Sequence, residues 1–236
     1  MSTLELMGFG DKGWGGAMLA AAVMTLMVSL AALAIGMGIG AVVAAAKVSG
    51  NIVLRSLGDV YTTVLRGVPD LLVIYLVYFG GSALVTYVAK AFGQEGFTGV
   101  PSFLAGSLAV GMASGAYQAE VFRGAYQALP RGQAEAAKAV GMGPLLRFRR
   151  IIVPQVLALA LPGIGNVWQL ALKDSALISV TGLAELMNMS KSGSGATHQP
   201  FVFYVAAGVL YLVLTTGSTF AFDKAEFRMT RSMRRI

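Results

Sequence analysis

The chain has 236 residues, of which 56% are hydrophobic and only 12% are charged. Roughly a quarter of the residues in an average soluble domain are charged, so this composition excludes an ordinary soluble protein. The net charge of +7 has to be located along the chain before it can indicate a partner. There is no cysteine, which excludes disulfides, thiolate metal sites and a cysteine nucleophile.

The first long element predicted is an apolar helix over residues 17–46, a run of 30 positions without a charged residue. Such a helix is about 45 Å long, whereas a bilayer core is about 30 Å thick. The preceding residues 1–16 contain Glu5, Asp11 and Lys12 and lack the basic start of a cleavable signal. We therefore expect an integral membrane protein in which residues 1–16 form an external segment.

Four more apolar spans follow in the chain, at residues 68–89, 101–122, 151–172 and 201–222. The fourth span has an alternative end at Met189, because residues 175–189 are also largely apolar. The sequence therefore predicts an all-α membrane protein with about five transmembrane helices. Residues 223–236 form a basic tail.

The basic residues predict which side of the membrane each connection faces. The segments after the first, third and fifth spans contain fourteen of the eighteen lysines and arginines. Basic connections face the cytoplasm, so the N-terminus is expected outside and the C-terminus inside. The positive charge then belongs to the inner membrane surface, and nucleic acid is not an expected partner.

The most basic connection, residues 123–154, contains a short predicted helix. Gln133 to Val140 is rich in good helix formers, and Gly141 is placed to cap the helix end. A helix of about two turns is marginal in water, so it needs a docking partner. Pro144 suits the start of a second helix, and the chain then returns to the membrane at Pro154.

Within this connection, the sequence resembles the EAA motif of bacterial ATP-binding-cassette importer permeases. The matching residues are Glu135, Ala136, Ala137, Gly141, Ile151, Val153 and Pro154. Leucine normally precedes the proline of the motif, where this chain has Val153.

The resemblance implies the type I importer permease fold, with residues 17–222 as the permease domain and the motif as a coupling helix. It further implies two cytoplasmic ATPase subunits, a second permease subunit that is identical or homologous, and an external substrate-binding protein. ATP and Mg would then be bound by the ATPase subunits and no cofactor by this chain. The location implied is the bacterial inner membrane.

Three further stretches resemble the polar amino-acid uptake branch of that family: residues 66–70, 117–125 and 172–177. The likeness implies import of basic amino acids (histidine, lysine, arginine, ornithine) or of opines, and it leaves the exact cargo open. Residues in these stretches are candidates for a structural or gating role. They are Arg66, Gly67, Pro69, Asp70 and Arg123. Arg66 and Asp70 have the i,i+4 spacing of an ion pair within one helix.

Polar residues within or beside apolar spans are candidates for the substrate pathway, because burying them in lipid is costly. These candidates are Glu120, Asn166, Gln169, Lys173, Asp174 and Ser175. Glu120 has a structural alternative, a pair with Arg123 one helical turn later. Asp174 also has one, as the N-cap of a helix that resumes at Ser175 after a break. Such a break would offer a helix N-terminus to a substrate carboxylate.

Two other classes of function fit the sequence less well than the importer. An intramembrane enzyme would need a convergent catalytic cluster, but the chain has one histidine, scattered carboxylates and no Walker-type phosphate loop. A stand-alone secondary carrier would show paired broken helices in two corresponding halves. Gly36 and Gly40 do not complete a nucleotide-binding pattern, and their spacing instead predicts close packing between membrane helices.

Overall fold

The computed structural model describes residues 3–10, 13–93 and 96–233, and the regular structure in these ranges is helical. We number the α-helices in chain order. They are α1 (Thr3–Leu6), α2 (Gly15–Val48), α3 (Ile52–Gly67), α4 (Asp70–Tyr75), α5 (Gly81–Ala91), α6 (Ser102–Gln127), α7 (Arg131–Ala139), α8 (Pro144–Arg147), α9 (Val153–Asp174), α10 (Leu186–Thr197) and α11 (Pro200–Met233). π-helical turns at Leu76–Gly80 and Phe148–Ile152 and a 3₁₀ segment at Ser175–Thr181 join some of them without a break.

Four helical stretches in the described ranges are long and apolar enough to cross a membrane: Gly15–Val48, Asp70–Ala91, Pro144–Thr181 and Pro200–Met229. They correspond to four of the five expected spans. The other expected span forms the 26-residue helix α6, which is rich in glycine, serine and alanine and therefore less apolar. Its crossing of the membrane, and the direction of the whole chain, remain predictions.

Helix α6 is the centre of the fold, and α2 packs closely along it. Gly36 and Gly40 of α2 are buried at this contact, and a β-carbon on Gly40 would lie 2.8 Å from the Cβ of Gln118 and 3.0 Å from the backbone N of Ala119. The predicted role of Gly36 and Gly40 in close helix packing is confirmed, because the backbone of α6 occupies the space that a side chain would need.

Helices α3 and α4 run beside α6 in the opposite direction. Thr62 lies near Glu120, Arg66 near Tyr117, and Ile74 near Val110. Ten residues of helix separate Glu120 from Val110, which is about 15 Å. The apolar stretch Asp70–Ala91 begins close to the expected start of the second span. Because α3 precedes it along α6, Asp70 lies alongside the middle of α6.

The expected helix break at Lys173 and Asp174 is wrong. Helix α9 passes at Asp174 directly into the 3₁₀ segment, and the Asp174 side chain makes no capping hydrogen bond. The Ser175 hydroxyl donates to the carbonyl of Leu172 (2.7 Å). The turn therefore tightens while its backbone groups stay bonded, as 3₁₀ ends of α-helices do. The chain leaves the helical conformation at Gly182 (φ +80°), so no helix N-terminus is exposed at Ser175.

The close approach of α2 and α6 can be tested with one methyl group. Gly40→Ala is expected to lower the melting temperature of the purified protein, since overpacking a tight contact costs about 1–3 kcal/mol. Gly38→Ala is the matched control, because Gly38 is on the same helix and has nothing within 4 Å of an added β-carbon. Equal melting temperatures for the two variants, measured by thermal unfolding in detergent, would contradict this packing.

Candidate functional site

A cluster of charged side chains joins α2, α3 and α6. The Nζ of Lys47 lies 2.9 Å from an Asp59 carboxylate oxygen, donates to the hydroxyl of Thr62 (2.8 Å) and forms a short ion pair with Glu120. The second carboxylate oxygen of Glu120 accepts from Arg123 at 2.8 Å. The Lys47 side chain is only 8% exposed, so its charge depends on these partners.

This cluster confirms the structural alternative for Glu120, its pairing, and the role of Glu120 in the substrate pathway stays a prediction. The expected contact with Arg123 is present, and Lys47 is a second cationic partner that the sequence did not predict. A carboxylate bound by two cations has little net charge to offer to a cationic cargo. Glu120 therefore connects helices in this conformation.

Arg66 does not pair with Asp70, and that prediction is wrong for the described residues. The guanidinium of Arg66 instead lies over the ring of Tyr117, 5.4 Å from its centroid. Helix α3 ends at Gly67, and Pro69 precedes the first residue of α4. The i,i+4 rule fails here because it requires one continuous helix between the two residues. Arg66 and Gly67 line a polar cavity of about 420 Å³ that also reaches the charged cluster.

Asp70 and Asp174 form a second acidic site, although sequence analysis predicted different roles for them. Helix α4 packs against the 3₁₀ segment that follows Asp174, which places the two carboxylates on neighbouring elements, and Lys173 is adjacent to Asp174 in the chain. Both carboxylates are half-buried, and Lys173 is exposed. Helices α4 and α9 position them, because Asp70 begins α4 and Asp174 ends α9. Two neighbouring carboxylates with one nearby cation leave a negative site.

Asn166 and Gln169 lie elsewhere, one turn or more before Asp174 on α9. With Asp223 they line a cavity of about 180 Å³ between α9 and α11, and the Gln169 amide donates to the hydroxyl of Thr219 (3.0 Å). The candidate pathway residues thus occupy three separate places: the charged cluster, the Asp70–Asp174 site and this cavity. Ser175 is buried and its hydroxyl is used within its own turn.

The predicted coupling segment has the expected local structure. Helix α7 ends in a Schellman motif, in which Gly141 (φ +79°) donates to the carbonyl of Lys138 and Met142 donates to that of Ala137, both at 3.0 Å. Glu135 and Ala136 are exposed and Ala137 is buried.

The remaining motif residues lead back toward the spans. Ile151 lies in the π-helical turn, and Val153 and Pro154 begin α9. Glu135 and Ala136 therefore present a free surface that a partner can contact, while Ile151, Val153 and Pro154 connect that surface to α9.

Glu185 is a buried carboxylate that sequence analysis missed. It caps α10 by accepting from the backbone N–H groups of Met187 (2.9 Å) and Asn188 (2.7 Å). The hydroxyls of Thr25 on α2 and Tyr211 on α11 also donate to it, at 3.5 and 3.3 Å. The sequence contains a signal for this residue, because Glu185 interrupts the apolar run 175–189 and an ionisable residue in such a run is costly.

Comparisons with known proteins agree with this architecture. Residues 36–231 match the family described as "Binding-protein-dependent transport system inner membrane component". The octopine transport system permease protein OccQ of Rhizobium meliloti is 54% identical, covering 100% of this chain and 99% of that one. The nopaline permease protein NocQ of Agrobacterium fabrum is 49% identical over 98% of both chains. The histidine/lysine/arginine/ornithine permease protein HisQ of Salmonella typhimurium is 39% identical over 87% and 90%.

Solved structures give the same result. A crystal structure of an amino acid ABC transporter with histidines superposes with a TM-score of 0.75 at 31% identity, covering 91% of this chain and 95% of that one. An inward-facing structure of the MetNI methionine ABC transporter has a TM-score of 0.67 at 18% identity, covering 92% and 95%, which supports the fold alone.

The Lys47–Glu120 pair is expected to stabilise the protein through the buried ammonium. Glu120→Gln leaves Lys47 with Asp59 as its carboxylate partner, and the free energy of unfolding should fall by about 2 kcal/mol. Lys47→Met should lower the free energy of unfolding much less in the Glu120→Gln variant than in the wild type, because it removes the buried charge that has lost Glu120 as its partner. A double-mutant cycle of thermal stability in detergent measures this coupling, and additive losses would contradict it. Glu135→Gln, at an exposed position, is the control.

Proposed function

Because the chain belongs to the family of binding-protein-dependent transport system inner membrane components, we propose that it is a permease subunit of an ATP-driven importer for basic amino acids or opines. This family supports an importer over a secondary carrier or an intramembrane enzyme. The chain is a multi-pass membrane protein. Its location is proposed as the bacterial inner membrane, where an external binding protein delivers the cargo.

The proposal for coupling is carried by the geometry of α7. A nine-residue helix capped by Gly141 presents Glu135 and Ala136 outward, next to the π-helical turn that leads into α9. Small, exposed side chains allow a partner's surface to approach the helix backbone closely. We therefore infer that a cytoplasmic ATPase subunit, carrying ATP and Mg, docks on α7. A second permease with its own ATPase completes the assembly, and this chain performs no hydrolysis.

The proposal for the cargo is carried by the site of Asp70 and Asp174. Two half-buried carboxylates beside the middle of α6 attract a guanidinium or ammonium group, and Lys173 offers an attractive charge to a carboxylate. Octopine and nopaline are derivatives of arginine, so both present a guanidinium together with carboxylates. The relatives named for these opines match this chain over nearly its whole length at about half identity, more closely than HisQ does.

Transport itself follows from differential affinity. The ATPase dimer binds ATP in a closed form, and closure draws the two coupling helices together. A conformation of the permease pair that fits the closed ATPase is then favoured over the one that fits the open form. The cargo site alternates between the two sides of the membrane because the helices that carry it, α4 and α9, shift with the coupling segment.

The coupling proposal is tested by two alanine variants of neighbouring glycines. Gly141→Ala places a side chain in the left-handed region, costs about 1 kcal/mol and frays the end of a marginal helix. Co-purification in detergent should then retain several-fold less ATPase. Gly143→Ala is the matched control, since Gly143 has φ −62° and nothing within 4 Å of an added β-carbon. Equal ATPase recovery with both variants would reject docking through α7.

The cargo proposal is tested by uptake of labelled octopine, arginine and histidine into cells that express the whole transporter. The wild type should take up octopine and arginine. Asp174→Asn should reduce that uptake about tenfold or more, because removing a charge that pairs with cargo costs at least about 1.4 kcal/mol. Asp223→Asn, in the cavity between α9 and α11, is the control and should retain uptake.

If Asp223→Asn loses uptake and Asp174→Asn does not, the cargo site is instead the cavity between α9 and α11. If the wild type takes up neither octopine nor a basic amino acid, the proposed cargo class is rejected.

A further inference from the structure

An apolar cavity that is open on one side lies where the ends of α2 and α6 meet the start of α9. Its volume is about 370 Å³, and its walls are almost entirely hydrocarbon. Each helix contributes its part nearest the coupling segment, for example Ala41 and Ala44 from α2, Phe122 from α6 and Ile152 from the π-helical turn. None of the candidate pathway residues lines it, so it is distinct from the cargo site proposed above.

A polar cavity of about 460 Å³ adjoins the apolar one and shares Val48, Arg123 and Tyr126 with it. It is lined by the hydroxyls of Ser49 and Tyr126, the amide of Gln127, three cationic side chains and the carboxylate of Asp59. The combined space is therefore amphiphilic, with a hydrocarbon chamber at one end and hydrogen-bonding groups at the other.

The charges of the polar cavity do not cancel. Lys47 is neutralised by Asp59 and Glu120, and Arg123 shares Glu120. Arg55 also lines the cavity, is exposed and has no ion-pair partner in the described part of the chain. The excess positive charge at this end suits an anionic group.

We propose that this pair of cavities binds one anionic phospholipid of the leaflet next to the coupling segment. An acyl chain fills the apolar cavity, and the headgroup phosphate lies at Arg55, within reach of the hydroxyl of Tyr126. Basic pockets between membrane helices on the cytoplasmic side are suited to anionic headgroups. A zwitterionic lipid would fill the apolar cavity equally well but would not use the cation of Arg55.

The position of the lipid gives it a second contact. Phe148 and Ile152 belong to the π-helical turn that joins the coupling segment to α9, and both line the apolar cavity. A bound acyl chain therefore packs against the turn through which the coupling segment is attached. The lipid would stabilise the position of that turn against α2 and α6.

Lipid binding to the purified full-length permease complex, measured by native mass spectrometry, tests the proposal. Wild-type protein should bind phosphatidylglycerol about fivefold or more tightly than phosphatidylcholine, the effect of one cation near a lipid headgroup. Arg55→Gln should abolish that preference. Arg228→Gln, which removes an exposed arginine of α11 that lines neither cavity, should keep it.

A second variant tests the apolar part. Ala41→Phe fills the cavity and should abolish binding of both lipids there, whereas Ala34→Phe, on an exposed position two turns away on the same face of α2, should not. Equal affinity of the wild type for the two lipids, or a preference that persists in Arg55→Gln, would overturn the proposal. So would unchanged binding in Ala41→Phe. The measurement does not depend on cargo uptake, so failure of the opine proposal leaves it intact.

Discussion

The close fit of α2 against α6 forms the centre on which α3, α4 and α9 pack. Ile35 and Ile39 of α2 lie over Gly111 and Gly115 of α6, as Gly36 and Gly40 lie under Gln118. Without side chains at these positions the two backbones approach closely, and the end of α2 brings Lys47 to Glu120. Helices α3, α4 and α9 then pack on the remaining sides of α6. In lipid there is little hydrophobic drive between helices, so this complementarity of shape has to supply the packing energy.

Three acidic sites along these helices differ in which neighbouring groups compensate their negative charge. Glu120 has two cations in contact, and Glu185 has four hydrogen-bond donors that join α2, α10 and α11. Asp70 and Asp174 instead lie on neighbouring elements, and Lys173 is adjacent to Asp174 in the chain. A fully compensated carboxylate holds helices together, whereas a pair that keeps net charge lowers its energy by binding a cation. Among these three acidic sites in the described part of the chain, the cargo proposal therefore favours Asp70 and Asp174.

Local rules predicted the features that depend on local sequence. Four spans, the cap at Gly141, the start of α8 at Pro144 and the packing of Gly36 with Gly40 all agree with the structure. Features that depend on depth or on distant contacts were not predicted. Sequence analysis assigned residues 47–67 to a connection, whereas α3 packs along α6. Hydropathy does not reveal this helix, because its buried residues are Gly58 and Thr62.

The errors at Arg66 and Asp174 have a common cause. Both expectations assumed where a helix is continuous and where it stops. The helical conformation is interrupted at Val68 and Pro69, between the presumed partners Arg66 and Asp70. At Asp174, where an interruption was expected, it continues. Lys47 was out of reach for sequence analysis because it lies 73 positions from Glu120. Such a contact requires the packing of α2 on α6 to be known first.

The continuity of α9 gives the coupling segment a direct mechanical route to the proposed cargo site. The helix begins at Val153, beside the coupling segment, and ends at Asp174, about 30 Å away. A single helix transmits displacement along its axis because its backbone hydrogen bonds resist stretching. Pro162 lies within α9 and lacks the N–H that would bond the carbonyl one turn earlier, so it is the point where α9 bends most easily. In the proposed mechanism, movement of the coupling segment therefore shifts Asp174 relative to Asp70, and bending at Pro162 absorbs part of that shift.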